Sequence, residues 1–339
     1  MTQSTRTAFL TGGTGFVGAN LARALLADGW SVRALAREGS DTRNLDGLAL
    51  DVVRGDCNDA GLADAMRGAD AVFHVAAHYS LWRRDRDALF RSNVLGTRNV
   101  LRAARQAGVP RTVYTSSVAA IGAKPGGAVA DEGYQSAPER LVGAYKLSKY
   151  LAEQEAVAAA RAGQDVVIVN PTTPLGAWDR KPTPTGDMLV RFLRGAMPAV
   201  VATGLNFVDV EDVALGHLSA FERGVAGRRY ILGNENLTLH ALLSRAGALS
   251  GKSAPSLTVP VWLPLGVAWI DETILGRLGF EPKIPVEGVR MSREAMYYDP
   301  SRARRELGFA PRPIEGALAA AIRWFAENGY LGRRGEQTR

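Results

Sequence analysis

Near its amino terminus the chain runs from an apolar stretch ending at Thr11 into Gly12-Gly13-Thr14-Gly15-Phe16-Val17-Gly18, and then into an amphipathic pattern from Phe16 to Asp28. A strand that passes at once into a helix must reverse its backbone within a few residues, and glycine permits this with no side chain in the way. The same turn leaves backbone N–H groups unpaired at the positive end of a helix, where an anion is stabilised. This placement predicts a pyrophosphate cradle, and so a dinucleotide, at Gly12, Thr14, Gly15, Phe16, Val17 and Gly18. Two glycine patterns overlay: Gly13, Gly15 and Gly18 fit G-x-G-x-x-G, while Gly12, Gly15 and Gly18 fit G-x-x-G-x-x-G.

The first half alternates short apolar runs with helical periodicity, as a parallel sheet wrapped by helices requires. Strands are expected at Thr7–Thr11, Ser31–Ala36, Leu48–Arg54, Ala71–Val75, Arg111–Ser116 and Val166–Asn170, and helices at Phe16–Asp28, Gly61–Met66, Ala88–Ala107 and Val142–Ala160. From Pro171 to Pro198 the chain is rich in Pro, Gly and Thr and reads as a long loop with one short helix around Met188–Arg194. Asn206–Val210 and Arg229–Leu232 read as returns to the sheet. The fold class expected is α/β: a Rossmann doubly wound parallel sheet with a smaller, mostly helical C-terminal substrate domain. Its expected division is residues 1–170, with a returning segment at about 205–235, for the dinucleotide; 171–204 and 236–330 for the substrate; and 331–339 as a tail. The spacing at Trp262–Leu278 suits a buried helix of the smaller part.

The 41 Lys and Arg exceed the 34 Asp and Glu by 7, and they are spread along the chain without interleaved aromatics. That argues for a solvated surface rather than a nucleic-acid face. The single cysteine, Cys57, excludes an internal disulfide and fits a reducing compartment. Met1–Thr7 is polar with no long apolar run behind it, so no secretory signal is expected. Val259–Ile270, with two prolines, is too short to span a bilayer. The expected setting is the cytoplasm. His74 and His78 have an i, i+4 spacing but lack further ligands, so no metal is expected.

At the end of the second strand stands Ala36-Arg37-Glu38, with Ala36 where an acid would select NAD. Arg37 suits a 2′-phosphate, which favours NADP over NAD; the competing reading has Arg37 in solvent and Glu38 on the ribose. The third strand ends in Gly55-Asp56-Cys57. Asp56 could take the adenine amino group with Cys57 on the ring, or Asp56 could cap the next helix. Tyr145 and Lys149, four apart, share one helix face. A cation there, with the positive oxidised nicotinamide, would favour the phenolate and bring down a tyrosine pKa of about 10. Thr115-Ser116-Ser117 closes the fifth strand, where a hydroxyl can polarise a carbonyl while the tyrosine exchanges its proton. His78, Tyr79 and Trp82 follow the fourth strand and are candidates to face the substrate, together with Ser117.

Taken together, Thr11-Gly12-Gly13-Thr14-Gly15-Phe16-Val17-Gly18, Asp56, His74-Val75-Ala76-Ala77, Asn93 in Asn-Val-Leu-Gly-Thr-Arg-Asn, Ser117, Tyr145-Lys146-Leu147-Ser148-Lys149 and Phe207-Val208-Asp209-Val210 resemble the extended short-chain dehydrogenase/reductase family. The stretch Asn170-Pro171-Thr172-Thr173-Pro174-Leu175-Gly176 with Lys181-Pro182-Thr183-Pro184-Thr185-Gly186 is similar to its hopanoid-associated sugar epimerase and dihydroflavonol reductase-like groups. The resemblance implies Tyr145 as acid/base, Lys149 lowering its pKa and binding ribose, Ser117 on the reacting oxygen, and Asn93 organising the site. It also implies Ala76 and Ala77 lining the cofactor, Pro171, Thr172 and Thr173 closing over the nicotinamide, and a homodimer through the Tyr145 helix and the third helix. Asn170-Pro171 departs from the usual Arg-Pro. Three functions stay open: ketone reductase, slightly favoured; nucleotide-sugar epimerase, for which Arg191, Arg194 and Arg290 are candidate diphosphate contacts; and a non-catalytic NADP sensor. Val118-Ala119-Ala120 supplies no acid beside the serine and argues against a dehydratase.

Overall fold

The computed structural model describes residues 5–260, 262, 265, 268 and 286–332. Seven parallel strands form the main sheet, in the order β10 (Arg229–Leu232), β6 (Val166–Pro171), β5 (Arg111–Thr115), β4 (Ala71–His74), β1 (Thr7–Thr11), β2 (Ser31–Ala36) and β3 (Asp51–Arg54). The central strands are buried on both faces, as a parallel sheet sandwiched by helices must be. The chain builds β1, β2 and β3 in one direction, then returns to lay β4 on the other side of β1. Both neighbouring loops leave the carboxyl edge there and diverge, opening the crevice in which such sheets bind ligands.

Alternation along the strands fills two layers. Ala8 and Leu10 meet Leu21, Ala22 and Leu25 of the first helix (Phe16–Ala27) and Val213, Ala214 and Ala220 of the helix Val210–Arg223. On the opposite face Phe9 and Val72 pack on Val100, Ala103 and Ala104 of the helix Gly96–Gln106, and Tyr114 and Ile168 on Ala152 and Ala156 of the helix Gly143–Arg161. A second core joins the helices Pro184–Leu193, Leu239–Ser250 and Ile314–Glu327 through Phe192, Leu242, Leu243, Leu318 and Phe325. Among the described residues no helix is long and apolar enough to cross a membrane.

The strand expected at Asn206–Val210 exists as β9 (Gly204–Asp209), but it does not rejoin the main sheet. It lies between β11 (Glu235–Thr238) and β7 (Thr173–Leu175) in a separate three-stranded sheet. The return to the main sheet is made instead by the helix Val210–Arg223 and by β10. The single helix expected at Ala88–Ala107 is interrupted by a π-helical turn, Phe90–Leu95, between Arg86–Leu89 and Gly96–Gln106. The segment Pro171–Pro198 holds β7 and a helix capped by the Thr183 side chain as well as loop. Trp262–Leu278 and the tail beyond residue 332 lie outside the described residues, apart from 262, 265 and 268.

The glycines of the first turn are not equivalent. A Cβ on Gly12 would stand 2.6 Å from the Ala76 nitrogen, and one on Gly18 would stand 2.0 Å from the Gly12 carbonyl oxygen. One on Gly13 would meet only the Leu10 and Ala34 side chains, at 3.2 and 3.4 Å. Gly18→Ala is therefore expected to lower unfolding free energy by about 2 kcal/mol or more, since rigid backbone cannot yield, and Gly13→Ala by under ~1 kcal/mol. Urea denaturation checks both.

Candidate active site

The cradle is built by backbone. Of the two glycine patterns, Gly12, Gly15 and Gly18 carry the geometry: Gly12, at φ +75°, packs against the loop after β4, and Gly18 lets the helix lie on the turn. Gly15 is exposed at the crest and caps the first helix with no side-chain bond, so the helix's first N–H groups have no intrachain cap. Thr14, Phe16 and Val17 line the same crest, part-buried. Thr11 ties the two loops together: its Oγ1 accepts the Ala76 N–H at 3.2 Å and lies 2.7 Å from His74 Nδ1, while His74 Nε2 reaches Thr97 Oγ1 at 3.0 Å. Burial holds His74 neutral, its pKa brought down to about 3 with Lys149 adding to the effect. It is a strut under the cradle. Among the described residues no three His, Cys, Asp or Glu side chains form a metal-holding group.

The residues expected at the adenosine end lie at the ends of β2 and β3. Arg37 is exposed just beyond β2 and makes no ion pair among the described residues, whereas nearby Arg43 is held by Asp41 at 2.7 Å. Asp56 spends one oxygen on its own turn: Oδ1 accepts from Asn58 N at 2.9 Å and Nδ2 at 2.8 Å. Cys57 is part-buried beside Gly96, and burial pushes its thiol up to about 12, far from thiolate chemistry.

Ser117 sits at the end of β5, where it caps the short helix Val118–Ile121 by accepting the Ala119 N–H at 3.1 Å. The Tyr145 hydroxyl is near enough to the Ser117 side chain for that hydrogen bond to draw its pKa down, but burial outweighs this and pushes Tyr145 up to about 12. Lys149 does not set that balance here. Its buried Nζ donates to the Thr115 carbonyl at 2.9 Å, and burial brings its own pKa down to about 8, with Glu153 opposing. In the protein alone, burial of the phenolate outweighs the Ser117 hydrogen bond; the lowering expected from Lys149 acting with the oxidised nicotinamide belongs to the cofactor-bound site. Thr115 is fixed from its other end by His217 Nε2, 2.8 Å from its hydroxyl; His217 Nδ1 donates to Val213 O at 2.7 Å.

Asn93 lies on the π-helical turn, and its side-chain hydrogen bonds go to His78 and Ser148. Its Oδ1 accepts His78 N–H at 2.7 Å, and its Nδ2 donates to His78 O at 2.9 Å and to Ser148 Oγ at 2.9 Å. It clamps the loop after β4 onto the tyrosine helix. That loop sets Tyr79 edge-on to Tyr145, ring centroids 4.5 Å apart. Burial raises the Tyr79 pKa and lowers that of His78, whose Nε2 is 4.0 Å from Asp85. Trp82 is part-buried in the same loop, its backbone N–H donating to Ser80 Oγ at 3.1 Å. Pro171 ends β6, Thr172 N donates to Leu232 O at 3.1 Å, and Thr173 opens β7, so these three cross the carboxyl edge of the sheet.

Two sets of contacts were not read from the sequence. Asn20 Nδ2 bridges Phe16 O (2.9 Å) and Ala177 O (3.1 Å), and Asn44 Nδ2 bridges Thr14 O (3.0 Å) and Trp178 O (3.2 Å), strapping residues 177–178 beside the cradle. Trp178 takes φ +74°, costly for a side-chain-bearing residue, and Arg23 stacks on its ring at 3.5 Å. An Asn on the apolar helix after a glycine turn was the one available signal. The second set explains the Asn170 departure. Asn170 Nδ2 donates to Ser117 O (3.0 Å) and to buried Glu153 (2.7 Å), and Arg229 from β10 supplies the guanidinium on Glu153 at 3.0 Å.

A family model described as the NAD dependent epimerase/dehydratase family matches residues 8–233. A Synechocystis sp. protein with the provisional name dihydroflavonol 4-reductase is 58% identical over 327 residues, 95% of each chain. Sterol demethylase protein B of Methylococcus capsulatus is 38% identical, covering 96% of this chain and 100% of its own. The crystal structure of a nucleoside-diphosphate-sugar epimerase from Pseudomonas aeruginosa is 30% identical, with a TM-score of 0.80 over 97% of this chain and 100% of its own.

Burial that depresses Lys149 from 10.5 to about 8 makes the folded protein bind fewer protons than the unfolded chain between those values. Stability gained from this group therefore rises with pH through that window, and its charged form is a cost below it. Lys149→Met is expected to raise the melting temperature near pH 7 by ~2 °C or more and to flatten the rise above pH 8. Melting curves across that range check this.

Proposed function

The chain belongs to the NAD dependent epimerase/dehydratase family, and from that premise we propose that it is an NAD(P)-dependent oxidoreductase transferring hydride at a carbonyl or alcohol carbon, working as a ketone reductase. The observation that carries this reading is the approach of the Ser117 and Tyr145 side chains, one helical turn from buried Lys149, at the edge of the glycine cradle. The cradle fits a dinucleotide: Gly12 and Gly18 leave no room for a Cβ, and uncapped N–H groups face the crest. The bound nicotinamide supplies the hydride acceptor or donor.

The chain's own residues do the rest. Ser117 donates a hydrogen bond to the substrate oxygen, and Tyr145 gives it a proton as the carbonyl becomes an alcohol. Lys149 holds the ribose and adds positive charge beside the phenolate. Pro171, Thr172 and Thr173 close over the nicotinamide, Ala76 and Ala77 line it, and His78, Tyr79 and Trp82 face the substrate, which the second core covers. Val118, Ala119 and Ala120 are buried and apolar, so no acid stands next to Ser117 for elimination. Of the three arginines considered for a nucleotide-sugar diphosphate, Arg191 pairs with Asp187 at 2.7 Å and Arg194 donates to Tyr330 O at 2.7 Å, while Arg290, on the helix Val286–Met291, has no such ion pair among the described residues. Both engagements favour the reductase. The epimerase is the second reading, favoured by the similarity to the Pseudomonas structure. Tightly retained NAD on purification would select it, and exchangeable NADP would select the reductase. A homodimer joined along the Gly96–Gln106 and Gly143–Arg161 helices completes the reading.

Tyr145→Phe is expected to cut turnover about 10²–10⁴-fold with cofactor affinity kept within about twofold. Kinetics beside cofactor titration check it, and unaffected turnover would contradict the role of Tyr145; a wild type that neither alters cofactor absorbance with any ketone nor epimerises any nucleotide sugar would favour the sensor reading. With NADP as the preferred cofactor, Arg37→Ala is expected to weaken NADP binding about tenfold or more and to leave NAD binding nearly unchanged. Parallel dissociation constants check this, and equal losses for both nucleotides would contradict it.

A further inference from the structure

Arg229 opens β10, an edge strand of the main sheet, and four acceptors converge on its guanidinium. Its Nε donates to Glu132 O at 3.0 Å, one terminal nitrogen to Gln135 Oε1 at 2.8 Å and Glu153 Oε1 at 3.0 Å, and the other to Tyr134 O at 2.8 Å. The second oxygen of Glu153 accepts from Asn170 Nδ2 at 2.7 Å, and the same amide nitrogen donates to the Ser117 carbonyl at 3.0 Å. Glu153 is only 1% exposed, and neither it nor Arg229 enters the reaction steps proposed for this site. Burying a carboxylate costs several kcal/mol before its partners offset the loss, and well-packed apolar side chains often serve stability as well or better. What apolar packing does not supply is charge.

Lys149 stands four positions before Glu153 in the helix Gly143–Arg161, so the two share one face, and both are buried. They form no ion pair among the described residues. Asn170 and Arg229 occupy the carboxylate, and the Lys149 ammonium donates to Thr115 O at 2.9 Å instead. The other titratable groups facing Lys149 are uncharged near neutrality. The Tyr114 ring on β5 is centred 5.3 Å from Nζ, and burial pushes its hydroxyl up; Tyr145, on the same helix, is pushed up to about 12; His74, on β4, is brought down to about 3. Beyond Arg229, Glu132 accepts the Ile231 N–H at 2.9 Å and lies 3.8 Å from Arg302. The field of Glu153 opposes the burial that brings Lys149 down to about 8. A direct ion pair would keep the lysine charged but occupy its N–H donors. A carboxylate held one helical turn away keeps the charge and leaves the ammonium free to turn to a ligand.

We propose that Glu153 is a positioning residue acting through Lys149: Arg229 and Asn170 hold its carboxylate off the ammonium, as a counter-charge that leaves the lysine charged and free to meet the cofactor ribose. The ribose contact rests on the oxidoreductase reading, whereas the charge balance is measured without cofactor or substrate. The test follows the Lys149 titration by NMR of isotope-labelled lysine Cε in the cofactor-free protein, with Lys149→Met to assign the signal. Glu153→Gln removes the charge and is expected to bring the Lys149 transition down by ~1 pH unit or more. Arg229→Gln keeps the carboxylate, frees it to close on the ammonium, and is expected to move the transition up. The Lys146 transition, set by burial and by the field of Glu294, should stay in place in both. Melting curves confirm folding. If either single variant fails to fold, the double variant Glu153→Gln with Arg229→Gln, which leaves neither charge without its partner, should reproduce the downward shift. A Lys149 transition unmoved by removal of the Glu153 charge, shifts in the same direction for the two single variants, or equal movement of Lys146 overturns the proposal. Opposite shifts support it even in a protein that reduces no ketone, a result that would count against the reductase reading alone.

Discussion

Gly12 lies so close to Ala76 that a single methyl group on it would enter the Ala76 backbone, at 2.6 Å from the nitrogen. That approach draws the loops after β1 and β4 together at the point where the sheet reverses its winding, and the rest of the site is hung from it. The Thr11–His74–Thr97 chain fixes the β4 loop to the helix Gly96–Gln106. Asn93 then clamps the same loop, through His78 and Ser148, to the tyrosine helix. Two strand ends and two helices are registered by hydrogen bonds between buried or part-buried groups, which hold their geometry because an unpaired partner would be costly.

Burial is what this arrangement exacts from its functional groups. Tyr145 is pushed up to about 12, Lys149 and Lys146 are both brought down to about 8, and His74 and His217 are held neutral. Neither lysine forms an ion pair among the described residues; one rests on a carbonyl and the other on a thioether. Stability is lowered to keep charge where ligands are expected, a common trade between fold and function. Buried Glu153, by contrast, is met by Asn170 and Arg229 together.

The first and second strands were legible to the residue, because their apolar runs are bounded by polar or glycine neighbours. Periodicity gave β9 as a strand but not its partner, since alternation reports a face and not a sheet. It also missed the π-helical turn at Phe90–Leu95, where one extra residue shifts the register within an unbroken helical pattern, and that turn is what carries Asn93. Ser117, Tyr145 and Lys149 were found from spacing and resemblance, and the structure brings Tyr145 to Ser117. The charge balance was not legible. Lys149 four residues from Tyr145, with the oxidised nicotinamide, implied a lowered tyrosine pKa, but the spacing says nothing of the burial that raises it in the protein alone, to which Tyr79 and other elements far away in sequence contribute. The Asn170 departure made sense only with Arg229 in view, 59 residues later and one strand across.

The central claim is that Tyr145 is made an acid–base group by the cofactor and not by the protein alone. An ultraviolet difference titration of tyrosinate, wild type minus Tyr145→Phe, with and without saturating oxidised cofactor, tests it directly. Without cofactor the Tyr145 signal should emerge only near the upper value of about 12; with cofactor it should move down by about 2 units or more as the positive ring and a redirected Lys149 favour the phenolate. A Tyr145 transition that stays where it was when the cofactor is bound would contradict the account.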